Sequence, residues 1–179
     1  MTAIIVAIIN FFSAFIQAAS GLGYAIFAMF FMPLVLPFQQ CSIISAAVII
    51  VIGIQMTISL RSHIKIKKIL LPMAFCILTT GIGIYIIRVT NERIMRLILG
   101  IFLIILSFYF YITNKYKIRL KEGFITGAII GSLTGITTGM FNIVGPFLTL
   151  YYYENSKDNL EFKANIEFSF LLAGIYSLC

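Results

Sequence analysis

The stretch from Met1 to Leu60, MTAIIVAIINFFSAFIQAASGLGYAIFAMFFMPLVLPFQQCSIISAAVIIVIGIQMTISL, contains no Asp, Glu, Lys, Arg or His. About 20 apolar residues suffice to cross a hydrocarbon core of roughly 30 Å. This run therefore holds more than one membrane segment. Its backbone is punctuated at Ser20-Gly21-Leu22-Gly23 and again between Pro33 and Gln40, where a continuous helix is weakened. Three helical pieces are expected, near Ala3 to Ala19, Leu22 to Leu36 and Cys41 to Leu60. The first two, at ~1.5 Å per residue, are short for a full span and suit a broken or re-entrant element.

The rest of the chain continues the pattern. Of its 179 residues, 61% are hydrophobic and 11% charged, against about 25% charged in soluble domains. The formal charge of +7 is concentrated in two loops, one with Arg61, His63, Lys65, Lys67 and Lys68, the other with Lys115, Lys117, Arg119 and Lys121. Basic loops between apolar runs set orientation, so both are expected on the cytoplasmic side and no nucleic-acid partner is implied. The two runs between them, Ile69 to Ile87 and Leu97 to Thr113, return the chain to the side it left. The loop from Glu154 to Lys163 lacks a positive excess and is expected outside. The last run, Ala164 to Cys179, is short for a crossing, which suggests a fragment or truncated form.

Several chemistries find no support. The single histidine, His63, sits in the basic loop with no cysteine or carboxylate near it in sequence, so no catalytic residue is assigned. Cys41, Cys76 and Cys179 have no metal-ligand spacing, and no glycine loop carries the lysine of a P-loop. Neither metal nor cofactor is expected. Glu167 is the only ionisable group well inside an apolar run. It is expected at the interface beside Lys163, which leaves carboxylate-based ion coupling unsupported. Asn10 and Gln55 are expected to form interhelical hydrogen bonds.

An offset of 114 pairs Ala14 with Ala128, Gly21 with Gly135 and Phe27 with Phe141, and a one-residue gap brings Pro33 onto Pro146. Two transmembrane repeats follow, residues 1–114 and an incomplete 115–179, their relative orientation open. The fold class expected is an all-α, polytopic transmembrane bundle in which each repeat opens with a broken or re-entrant helix pair. Gly127, Gly131, Gly135 and Gly139 form a small-residue stripe that lets another helix approach. The stripe leads into Thr137-Thr138-Gly139, Asn142 and Gly145-Pro146. Polar, glycine-broken backbone at membrane depth needs protein or a wet cavity around it. A helix that starts after such a break aims its N–H groups and positive dipole end inward, a site for an anion. The candidate substrate-binding residues are Gln17, Ser20, Gly21 and Gly23 from the first half and Thr134, Gly135, Thr137, Thr138, Gly139, Asn142, Gly145 and Pro146 from the second.

These motifs resemble the TauE/SafE sulfite exporter family, the TSUP transporters. Phe15 to Tyr24 with Pro33-Leu34 is similar to the family's Gly-x-Gly element before a proline, and Gly131 to Met140 with Gly145-Pro146 and Leu150-Tyr151 is similar to its repeated signature. Phe162-Lys163-Ala164 is similar to the opening of its next helix. The chain departs from the family's Gly-Gly-Pro-Pro element, since Phe141 to Val144 intervenes and Phe147 stands at the second proline position. The resemblance implies a multi-pass cell-membrane carrier of sulfite or organosulfonate-like anions, with the lipid bilayer and a small anion as partners and a homo-oligomer left open. The alternative is a non-transporting membrane subunit or inactive truncated remnant.

Overall fold

The computed structural model describes residues 2–21, 23–116 and 122–178. They form eight α-helices and no strand: α1 Thr2–Ser20, α2 Tyr24–Phe31, α3 Phe38–Ser59, α4 Ile66–Val89, α5 Glu92–Tyr116, α6 Phe124–Phe141, α7 Gly145–Asn155 and α8 Asn159–Leu178. Two 3₁₀ turns, Met32–Leu34 and Arg61–His63, extend α2 and join α3 to α4. The helices α1, α3, α4, α5 and α6 are each long and apolar enough to cross a membrane. Their outer faces carry exposed Phe11, Phe12 and Phe15 on α1 and Leu97, Ile104 and Phe108 on α5, as a lipid-facing surface requires.

One end of the bundle is marked by Lys68. Its ammonium bonds Glu161 Oε1 at 2.8 Å and the Asn155 carbonyl, and lies 3.6 Å from Glu122 Oε1. Lys65 N–H donates to Asn165 Oδ1 at 2.8 Å. The loops before α4, α6 and α8 therefore share this basic end. The Glu154–Lys163 loop, expected on the opposite side, lies with the basic loop because the Glu161 carboxylate pairs with Lys68 and the Asn155 backbone carbonyl accepts from it. Of the second basic cluster, Lys117, Arg119 and Lys121 lie outside the described residues. At the far end, Phe38 N–H donates to Glu92 Oε1 at 3.2 Å, bringing the starts of α3 and α5 together.

The final helix also differs from expectation. It starts at Asn159, not Ala164, and reaches 20 residues, about 30 Å. Its polar residues do not end it, because Glu161, Asn165 and Glu167 are each buried with a hydrogen-bond partner.

The tightest contact is between α4 and α6. A Cβ added to Gly131 would lie 2.9 Å from the Pro72 carbonyl carbon, one on Gly135 3.0 Å from that of Cys76, and one on Gly139 2.8 Å from Gly83 Cα. These partners advance together along the chain, so α4 and α6 run parallel. Only glycine admits backbone-to-backbone approach at every turn. The α3–α8 contact is antiparallel, with Gly53 against Leu171 and Gly174 against Ile50 and Ile49.

Candidate functional site

The chain turns back on itself twice, each time as a long helix, a break and a short helix. In the first, α1 ends where Gly21 N–H donates to the Gln17 carbonyl at 2.7 Å. Gly21 (φ 77°) and Gly23 (φ 117°) then adopt left-handed backbone, which a β-carbon disfavours. The Gln17 side chain closes the gap, its Oε1 accepting from Tyr24 N–H, the first of α2, at 3.1 Å. Helix α2 folds back on α1: Tyr24 OH donates to Asn10 Oδ1, and Asn10 Nδ2 reaches Met32 Sδ at 3.4 Å. Asn10 thus makes the expected bonds across helices, whereas Gln55 is exposed.

In the second, α6 stays helical through Gly135 and Gly139 to Phe141, and the break is confined to Asn142–Val144. Asn142 is left-handed (φ 56°), a conformation its short amide tolerates better than most side chains. Its N–H donates to the Thr138 carbonyl at 2.7 Å, and Thr137 OH donates to the Ile143 carbonyl at 3.0 Å. Pro146 then lies in the first turn of α7, where a missing N–H costs nothing.

The two breaks meet. Gln17, Gly23 and Tyr24 from the first and Val144, Gly145 and Pro146 from the second line one cavity of about 20 Å³, room for a single water. Ile49, halfway along α3, and Phe170, just past halfway along α8, also line it, so the cavity sits at mid-bundle. The first hairpin's connection leads to the far end through Pro37 and the second's to the basic end through Asn155, so the two enter from opposite ends.

Of the residues picked out from the sequence, Gln17, Gly23, Gly145 and Pro146 therefore come together around the cavity. Gly21 is buried, the aliphatic stem of Lys163 at van der Waals distance from where its β-carbon would be. Ser20 is exposed and its hydroxyl donates to the Ile16 carbonyl at 2.7 Å. Gly135 and Gly139 face α4. Thr134, Thr137, Thr138 and Asn142 are buried on α6 and at its end. Thr138 OH donates to the Thr134 carbonyl at 2.7 Å, and Asn142 Oδ1 accepts from Ser177 at 3.3 Å.

Glu167 was expected at the interface, but it is fully buried. Its Oε1 accepts from Gln17 Nε2 at 2.9 Å. Its Oε2, together with Asn142 Nδ2 and Thr134 Oγ1, is buried without a hydrogen-bond partner. Sequence reading missed the Gln17–Glu167 pair because proximity to Lys163 suggested a wet end. The available signal was that each polar side chain stands in an apolar run and requires a partner.

Two broken hairpins meeting inside a helical membrane bundle are an architecture of secondary transporters. The chain belongs to the sulfite exporter TauE/SafE family, whose model matches residues 6–178, nearly the whole chain. It is a multi-pass protein of a membrane transporter family. No curated protein and no solved structure matches it.

Proposed function

We propose that the protein is a secondary carrier of a small anion, sulfite or an organosulfonate, in the cell membrane, and that it binds the anion between the two breaks. The observation that carries this reading is that α2 and α7 both begin at one cavity, so two positive dipole ends converge at mid-bundle. Gln17, Gly23, Gly145 and Pro146 would form the wall, with Thr134, Thr137, Thr138 and Asn142 behind it. A cavity of about 20 Å³ has room for one water only, so an anion needs the hairpins to part, which is the rocking motion alternating access requires. Residues 1–114 and 115–179 are taken as copies in opposite orientation, which the entry of the hairpins from opposite ends supports.

The test is flux of labelled sulfite and of labelled methanesulfonate into proteoliposomes holding the full chain. Val144→Phe fills the cavity and is expected to cut saturable flux by about tenfold or more, while the protein stays in the membrane. Undiminished flux through correctly inserted Val144→Phe protein would remove the cavity from the pathway.

A further inference from the structure

The Gln17 amide holds two partners in a fixed sense. Backbone N–H of Tyr24 can only donate, so it takes the Gln17 carbonyl oxygen at 3.1 Å. That turns the Gln17 NH₂ toward Glu167 Oε1 at 2.9 Å. In this arrangement the carboxylate is an acceptor, and the leading N–H of α2, a donor an anion at the cavity would use, is covered by an amide oxygen. Glu167 Oε2 is left buried and unpartnered.

We propose that Glu167 is a proton-binding site that controls whether the cavity can accept an anion. This rests on the carrier reading above. When the carboxyl takes up a proton, the O–H on the oxygen that faces Gln17 must donate, and the Gln17 amide already in contact with it offers its carbonyl oxygen as the acceptor. The amide turns over to meet it. The same rotation uncovers Tyr24 N–H and swings the Gln17 NH₂ toward the cavity, so the wall changes from a covered donor to two exposed ones. Loss of the proton reverses the rotation and expels the anion, because Gln17 recovers its bond to the carboxylate and covers Tyr24 again. No covalent bond other than O–H forms or breaks, and one proton accompanies each anion.

The surrounding charges leave this assignment to Glu167. Thiols and phenols are neutral at pH 7, which covers Tyr24 on α2, Cys41 on α3, Cys76 on α4 and Tyr152 on α7, whose hydroxyl is engaged with Ser169 at 2.9 Å. Glu161 is paired with Lys68 at the basic end, and α6 has no ionisable side chain. Lys163, one turn before Glu167 on α8, supplies a nearby positive charge. Its stem lies along Gly21 at the first break.

The experiment uses the full chain in proteoliposomes, with labelled sulfite and labelled methanesulfonate as probes, the second having a charge that does not titrate. A gradient of about one pH unit is expected to drive about tenfold accumulation at one proton per anion, with proton entry detected by a trapped pH dye. In Glu167→Gln, accumulation driven by the gradient is expected to disappear, while exchange of labelled for unlabelled anion at equal pH on both sides persists. Wild-type protein that exchanges anion but moves no protons would overturn the proton site and leave the carrier reading standing, and so would gradient-driven accumulation surviving in Glu167→Gln. Wild-type protein with no saturable flux of either probe would overturn both. The dye measurement needs only wild-type protein and decides the question if the variant does not insert.

Discussion

The α4–α6 seam and the cavity between the hairpins are assembled from the same residue types, and glycine serves a different purpose in each. Along the seam, Gly131, Gly135 and Gly139 keep ordinary helical backbone and matter for the β-carbon they lack, since the opposing chain occupies that space. At the first break, Gly21 and Gly23 matter for their left-handed backbone, and at Gly21 a β-carbon would meet only the flexible stem of Lys163. The seam is close packing of buried backbone. The breaks leave donors and acceptors unpaired by the helix, and side chains such as Gln17 and Thr137 take them up.

Substitutions can separate these two uses. The largest effect is expected for Gly135→Val, whose side chain would enter the Cys76 backbone and the Thr79 hydroxyl. Overpacking of this kind costs about 3 kcal/mol or more. The monodisperse fraction in detergent should collapse, and a wild-type elution profile would show that the seam yields more than its geometry allows. Next comes Gly23→Ala, where φ of 117° strains any β-carbon by about 1–3 kcal/mol. Here the protein should insert with a lowered melting temperature, and anion flux should fall further than stability does. Equal losses of both would mean that the break is structural only. The smallest effect is expected for Gly81→Ala, a helical glycine on α4 with nothing within 4 Å of the added carbon. It should be neutral or raise stability by up to about 1 kcal/mol, measured as a thermal shift, and a clear loss would reveal a contact on that face.

The sequence carried the elements well because apolar runs and their breakers are local signals. The first three helices fall within a few residues of where Ser20 to Gly23 and Pro33 to Gln40 predict interruptions. It carried less of the site, since pairing is not local. Gly135 and Gly23 look alike as glycines beside hydroxyl or apolar residues, yet only one is left-handed. The offset pairing Gly21 with Gly135 sets a break against mid-helix, because the second break needs no glycine: Asn142 takes the left-handed position itself. Glu167 and Gln17, 150 residues apart in the chain, gave no sign of their contact in either neighbourhood. The Glu154–Lys163 loop escapes sequence reading for the same reason, since its Glu161 answers a lysine on another helix.

The parallel course of α4 and α6 has a mechanical consequence. Two rods welded backbone to backbone over several turns move as a single post, and α5, which joins them, has to follow. A conformational cycle in this protein therefore cannot be shared evenly among its helices. The first hairpin, held to α8 by an amide and a carboxylate and to α3 by side-chain packing rather than by a row of glycines, is tied less rigidly than that post.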